Sequence, residues 1–199
     1  MNTYLWIVTA SVVALTGLIQ GAPVMDATPP PSSQSVQPRK VLIVYYSLTG
    51  KTQGVAEDLA RRCEADIERI TDTKKRTGWW GGFMAGKDAS QENLTTLGAI
   101  TKNPADYDLV IIGTPVWAWN MTPAVRTYIG THKGSFKSVA FFVTAGGTPA
   151  DKIVAKMAIL AGKPALASAG FVQDDFKPAH TETYEQKMTA FVNALTGQK

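Results

Sequence analysis

Three hydroxyl side chains and a glycine stand together in SLTGKT, Ser47 to Thr52, which follows the apolar run KVLIVYY. At the start of a helix, such a turn binds anions, because the first backbone N–H groups lack partners and the helix dipole favours negative charge. The hydroxyls of Ser47, Thr49 and Thr52 would add donors without adding charge. The turn therefore predicts a site for a terminal monophosphate.

The ending Gly50-Lys51-Thr52 also resembles the phosphate loop of ATP- and GTP-hydrolysing enzymes. That loop requires a further glycine five positions before Gly50. Tyr45 occupies this position, inside a predicted strand, where a wide backbone cradle cannot form. The pattern favours recognition of a phosphate by hydrogen bonds, without magnesium.

Two further stretches carry residues suited to a flat ring. TPVWAWN, at 114–120, places Trp117 and Trp119 after an apolar run, where they could stack on a heteroaromatic ring. The alternative is that one of these rings packs under the neighbouring loop. TAGG, at 144–147, offers two glycines whose backbone can approach a ring edge closely.

Short apolar runs predict the strands that position these stretches. Buried strands are expected at 41–46, 109–113 and 139–144, with a less clear one at 166–172 and an alternating edge strand at 66–70. Continuous apolar runs indicate strands that are covered on both faces, as in a parallel sheet flanked by helices.

Helices are predicted between these strands. Thr122-Pro123 begins one helix, and another is expected to have Thr148 as its N-cap and to end at Gly162. A last apolar stripe runs from Tyr184 to Leu195. Strand and helix alternate throughout, which predicts a doubly wound α/β domain.

In a doubly wound sheet of strand order 2-1-3-4-5, the loops after the first, third and fourth strands meet at one edge, where ligands bind. Those loops are the three stretches described above. A monophosphate site, an aromatic shelf and a close glycine backbone together indicate flavin mononucleotide, FMN.

Composition limits the remaining possibilities. The 199 residues suffice for one globular domain, and one cysteine with two distant histidines predicts neither a disulfide nor a structural metal. The formal net charge is +4. Because the lysines form no stripe interleaved with aromatic residues, we expect no nucleic-acid partner, and an acidic partner or an anionic membrane surface is better supported.

The first residues of the sequence have the composition of an apolar leader segment. An uncharged apolar run at 4–19 is shorter than the ~20 residues that span a bilayer comfortably, and no basic residue precedes it. We interpret 1–22 as an apolar leader, either a signal peptide or a membrane anchor, and 23–38 as a Pro- and Ser-rich linker before a domain at 39–199. The protein is then expected to be exported, or to be anchored in a membrane through residues 4–19. The sequence does not decide on which side of the membrane the domain lies.

From about residue 40 to 196, the sequence resembles the flavodoxin family, specifically its short FMN-binding members. VLIVYYSLTGKT matches the family's phosphate loop [ST]-x-T-G-x-T, and DYDLVIIGTPVWAWNMTPAVRTYI and FFVTAGG follow in order. The resemblance implies a three-layer flavodoxin-like fold, with a five-stranded parallel sheet of order 2-1-3-4-5, and FMN as the cofactor.

The resemblance also implies which residues contact FMN, while Lys51 is expected to face solvent rather than act in catalysis. The implied contacts are Ser47, Leu48, Thr49, Gly50, Lys51 and Thr52 at the phosphate, Pro115, Val116, Trp117, Ala118, Trp119 and Asn120 along the ribityl chain and ring, and Thr144, Ala145, Gly146 and Gly147 on the ring's other side.

Two features depart from the family's usual pattern. Relatives of this short class often have a glycine in place of Trp119, and its peptide turns to bond the reduced ring. Only glycine makes that turn readily, although Asn120 tolerates left-handed geometry, so we expect weak stabilisation of the one-electron-reduced flavin. Electron-carrying flavodoxins are typically acidic, whereas the basic balance of this chain favours acidic partners.

Two functions stay open. One is an electron carrier that binds a redox partner protein over the exposed flavin edge. The other is an NAD(P)H-dependent quinone reductase, in which Trp117, Trp119 and the Trp79-Trp80 segment could enclose a flat quinone-type acceptor, although packing or oligomer contact is the more ordinary role for Trp79-Trp80. Neither function requires a catalytic residue, since hydride transfer to a flavin needs no acid–base pair. Electron transfer is the function we expect.

Overall fold

The structure is a computed structural model that describes residues 39–73 and 86–197. The predicted leader, the linker and the Trp79-Trp80 segment lie outside these residues. Within the two described ranges, no helix has both the length and the apolar character needed to cross a membrane. The same ranges contain no group of His, Cys, Asp and Glu side chains arranged to hold a metal ion.

Six strands form one sheet. They are β1 (Val41–Tyr45), β2 (Asp66–Arg69), β3 (Leu109–Trp117), β4 (Asn120–Met121), β5 (Val139–Ala145) and β6 (Ala165–Val172). Parallel pairing gives the order β2-β1-β3-β5-β6, and β4 pairs antiparallel with the end of β3. Without the two-residue β4, this is the predicted order 2-1-3-4-5, which is confirmed. The added β4 arises because β3 continues past Gly113 and then reverses.

Four helices connect the strands. They are α1 (Lys51–Cys63), α2 (Pro123–His132), α3 (Ala150–Ala161) and α4 (Thr181–Thr196), and residues 86–90 are also helical. The predicted start of α2 is confirmed, because the Thr122 hydroxyl accepts the N–H of Val125 and Pro123 is the first residue. The predicted Thr148 cap of α3 is wrong, because Pro149 has an extended ψ of 132° and is itself the N-cap.

The sheet separates two hydrophobic cores, since side chains alternate between its faces. Leu42, Val110 and Phe141 belong to the core on the side of α2 and α3. Ile43, Ile111 and Phe142 belong to the core on the side of α1 and α4. The predicted three-layer arrangement is therefore confirmed, and its parallel strands deliver their carboxyl ends, with the loops that follow them, to one edge.

Candidate functional site

A cleft of about 270 Å³ opens at the carboxyl ends of β1, β3 and β5. It brings together residues from all three predicted loops and two residues that follow β6. The lining residues are Leu48, Thr49, Lys51, Thr52, Pro115, Val116, Trp117, Thr144, Ala145, Gly146, Gln173 and Phe176. The other predicted contacts lie elsewhere around the same loops: Ser47, Gly50, Ala118, Trp119, Asn120 and Gly147.

The first loop is shaped for an anion. The buried Ser47 accepts the N–H of Gly50 on its hydroxyl oxygen at 3.1 Å, and Gly50 has a φ of 91°, which favours glycine. Helix α1 then begins at Lys51 with no acidic residue in its first turn. The N–H groups of residues 51–53 have no acceptor within the helix, so this end of α1 attracts negative charge.

A buried hydrogen bond joins the first and third loops. The hydroxyl oxygens of Thr52 and Thr144 lie 2.8 Å apart, and either one could be the donor. Each hydroxyl has one hydrogen and two acceptor positions, so one of the two hydrogens is not used in this bond. The pair fixes the spacing of the loops and leaves a donor for a ligand.

The second loop is a tight hairpin between β3 and β4. Trp117 is half-buried, lines the cleft and meets Tyr46 edge-on, with ring centroids 5.4 Å apart. Trp117 pairs with Asn120, so Ala118 and Trp119 form the two-residue turn. Both have positive φ, 43° and 59°, as in the type I′ turns typical of such hairpins. Trp119 is 77% exposed at the tip, so Trp117 supplies the aromatic wall.

Asn120 differs from its prediction. It is 3% exposed and lies in β4, so the expectation of left-handed geometry at Asn120 is wrong. The hairpin register puts that geometry at Ala118 and Trp119 instead. The Asn120 amide oxygen accepts from Met121 N at 3.0 Å and from Arg126 at 3.1 Å, and its nitrogen donates to Glu92 at 3.2 Å. Through Arg126 and Glu92, Asn120 therefore connects the hairpin to α2 and to the chain at residue 92.

The two side chains that bond to Asn120, those of Arg126 and Glu92, also form an ion pair. Arg126 is buried, and its guanidinium lies 3.3 Å from the Glu92 carboxylate. The hydrogen bond from Asn120, followed by the charge of Arg126, lowers the pKa of Glu92 below its ordinary value. The second loop therefore rests on a polar cluster that links it to α2 and to the chain at residue 92.

The third loop leaves space at the cleft. Ala145 and Gly146 line it, and Gly147 follows in an exposed position. A Cβ atom added at Gly146 or Gly147 would meet nothing within 4 Å. A ligand ring could therefore approach the main chain here without displacing protein atoms.

The segment after β6 forms a fourth side of the cleft, which the sequence did not predict. Gln173 and Phe176 come from a short 3-10 turn, Gln173–Phe176. Asp175 in the same turn is buried and accepts from Val172 N at 2.7 Å and from Lys187 Nζ at 2.6 Å. The available signal was FVQDDF at the carboxyl end of the last predicted strand, which reaches the same edge as the other loops.

Lys51 reaches this fourth side. Its Nζ donates a hydrogen bond to Gln173 Oε1 and lies 5.7 Å from the centre of the Phe176 ring. Lys51 is partly exposed, and its contact with this turn was not predicted from the sequence. A helix start at Lys51 directs its side chain back over the loop, where the turn after β6 meets it.

A family model for flavodoxin matches residues 40–174, more than half of the chain. The chain belongs to the flavodoxin family.

Solved structures share the fold of this flavodoxin-family chain. A flavoprotein in complex with FMN from Lactobacillus acidophilus NCFM has a TM-score of 0.57 and 23% identity, with 74% of this chain and 99% of that chain covered. A candidate flavoprotein from Bacteroides eggerthii DSM 20697 has a TM-score of 0.60 and 20% identity, with 76% and 98% covered. A flavodoxin, WrbA-like protein from Agrobacterium tumefaciens has a TM-score of 0.50 and 16% identity, with 81% and 99% covered.

Proposed function

We propose that this protein binds FMN in the cleft and transfers electrons between redox partners. The observation that supports this best is the meeting of an anion-binding loop, an aromatic wall and an open glycine loop around one cleft. The Lactobacillus acidophilus flavoprotein of similar fold, which was solved with FMN, supports this choice of ligand.

The residues of the first loop fit a phosphate group. The donors are the N–H groups at the start of α1, the hydroxyls of Thr49 and Thr52, and the ammonium group of Lys51. A phosphate offers only acceptor oxygens and negative charge, which this set complements. No carboxylate belongs to the described residues that line the cleft, so no acidic side chain there opposes an anion.

The other walls fit a flat ring. Trp117 presents a half-buried indole on one side. On the other side, the main chain at Ala145 and Gly146 borders space that a ring could occupy. Flavin rings are held in proteins by such combinations of aromatic contact and backbone hydrogen bonds.

When bound, FMN supplies one- and two-electron redox chemistry. The chain's own residues would bind the phosphate, orient the ring and exclude water from the Trp117 side. Lys51 is the single ionisable residue among the described cleft-lining residues, which suits a protein that leaves the chemistry to its cofactor. A redox partner protein would then exchange electrons at the open side of the cleft.

A comparison of electron sources tests this function. The purified FMN-loaded protein would be mixed with NADPH and a quinone, first alone and then with a flavodoxin reductase. We expect slow oxidation of NADPH without the reductase and rapid, protein-dependent electron flow with it. Rapid NADPH oxidation by the protein and quinone alone would contradict the carrier function and favour an NAD(P)H-dependent quinone reductase.

A further inference from the structure

The two cations at the first loop are held by neutral oxygen atoms. Lys51 Nζ donates to the amide oxygen of Gln173, and Arg69 Nη2 donates to the carbonyl oxygen of Ser47 at 3.0 Å. Among residues 39–73 and 86–197, no carboxylate lies within ion-pair distance of Lys51 or Arg69. Within these ranges, both positive charges therefore lack a carboxylate partner.

Half of the Lys and Arg side chains in the described residues form an ion pair with a carboxylate. Arg62 pairs with Asp58 and Glu185, and further ion pairs join Lys102–Asp66, Lys137–Asp108, Lys156–Glu92, Lys177–Asp174 and Lys187–Asp175. Lys51 and Arg69 share the lack of an ion pair with six other described cations, Arg39, Lys40, Lys87, Lys133, Lys152 and Lys163. What sets Lys51 and Arg69 apart is their contact with the first loop and with the wall of the cleft. Their charges add to the positive end of α1, which itself has no acidic residue in its first turn.

Lys51 has hydrogen-bonding capacity left. An ammonium group has three donors, and the contact with Gln173 uses one of them. Gln173 is carried by the turn that Asp175 anchors to Val172 and Lys187. The centre of the Phe176 ring lies 5.7 Å from Lys51 Nζ. These contacts hold the ammonium group at the wall of the cleft with free donors.

Arg69 contacts a main-chain atom of the first loop, the carbonyl oxygen of Ser47. A carbonyl oxygen beside a phosphate would repel it, because both are electron-rich. The guanidinium of Arg69, at the end of β2, binds the Ser47 carbonyl oxygen and offsets its negative partial charge. Arg69 is thus a positioning residue for Ser47, with a charge that also favours an anion nearby.

We propose that Lys51, held by Gln173 and Phe176, and Arg69, bound to Ser47, supply the countercharge for the cofactor's phosphate and make the site selective for FMN over riboflavin. This inference rests on the proposed binding of FMN. It adds cationic recognition to a loop whose sequence indicated hydroxyl and amide donors.

Fluorescence titrations of the full chain with FMN and with riboflavin test this selectivity. Lys51→Met keeps most of the length of the side chain and removes the charge, and we expect it to weaken FMN binding about tenfold, with no change for riboflavin. Arg69→Met should produce a smaller loss with the same selectivity. Lys163→Met, which removes one charge just before the amino end of β6, is the control and should leave both affinities unchanged.

The pH dependence separates a charge effect from a structural one. The second pKa of a phosphate monoester is about 6, so FMN loses negative charge as the pH falls through that value. In the unmodified protein, FMN affinity should fall over this range, and in Lys51→Met the fall should be shallower. Riboflavin affinity should not follow the phosphate pKa in either protein.

Two results would overturn the inference while leaving FMN binding intact. One is a full FMN affinity in both Lys51→Met and Arg69→Met. The other is an equal loss for FMN and riboflavin, which would mean that these residues only shape the loop. If the unmodified protein bound no FMN at all, the proposed function itself would fail.

Discussion

Backbone strain at the tip of the β3–β4 hairpin predicts that replacing Ala118-Trp119 by Asn-Gly stabilises the protein. Both residues have left-handed φ values, 43° and 59°, a region that disfavours side chains by about 1–2 kcal/mol per residue. Asn-Gly is the pair that two-residue hairpins prefer. Trp119 is largely exposed, so its removal sacrifices little buried apolar area.

The expected gain is modest but measurable. Relief of about 1 kcal/mol at each position is partly offset by the backbone freedom that glycine adds to the unfolded chain, about 0.5–1 kcal/mol. The free energy of unfolding should therefore rise by about 1 kcal/mol, which corresponds to about 2–4 °C in Tm for a domain of this size.

Urea unfolding and thermal melting of the flavin-free protein measure this change. Ala118→Asn/Trp119→Gly should raise the urea midpoint without altering the slope m. Leu94→Gly is the matched control, because Leu94 is 63% exposed but lacks a positive φ, and it should lose stability. Easier unfolding of the Asn-Gly variant would refute the strain argument and imply that the Trp119 ring stabilises the hairpin.

Three further changes test other contacts. Thr52→Val leaves the buried Thr144 hydroxyl without its partner, so the free energy of unfolding measured in urea should fall by about 1–3 kcal/mol. The double variant Thr52→Val/Thr144→Val should recover part of this loss, and a further, additive loss would contradict the role of the hydrogen bond. Gly113→Ala places a Cβ 2.0 Å from Phe142 Cζ and should lower stability by about 1–3 kcal/mol in thermal melts, whereas an unchanged Tm would show that Phe142 moves freely. Burial, then the hydrogen bond to Asp66, raises the pKa of Tyr107 to about 12 from 10.0. The stabilisation by protonated Tyr107 is thus complete below pH 10.0 and is lost as the pH rises towards 12. Tyr107→Phe should make the fall of the unfolding free energy over this pH range shallower.

The fold could be predicted because its signals are local. The runs at 41–46 and 139–144 correspond to β1 and β5 within one residue, since a strand buried on both faces must be apolar throughout. The end of β3 could not be predicted in this way. Beyond Gly113 the strand contains Thr and Pro, which do not continue the apolar run. The turn that follows, Ala118-Trp119, has none of the Gly, Pro, Asn, Asp or Ser residues that are typical of turns.

The site was predictable where loops follow buried strands and not where it depends on distant contacts. The three predicted loops do meet at one cleft. The choice between Trp117 and Trp119 required the register of the hairpin, which places Trp117 opposite Asn120 and leaves Trp119 at the tip. Sequence alone offers both rings equally.

The fourth side of the cleft is a tertiary feature. Gln173 meets Lys51 across 122 positions of sequence, and this contact depends on the Asp175 anchor to α4. Likewise, a lysine or arginine in a sequence gives no sign of whether a carboxylate will neutralise it. Among the residues that the structure describes, the lack of a carboxylate beside Lys51 and Arg69 is therefore a property of the folded chain.

Amide chemical-shift mapping by NMR during a titration with FMN tests most directly whether this cleft is the flavin site. We expect saturable changes at residues 47–52, 116–117 and 144–147, together with Gln173, at one flavin per chain. Changes confined to other parts of the protein, or none at high FMN concentration, would contradict FMN binding in the cleft.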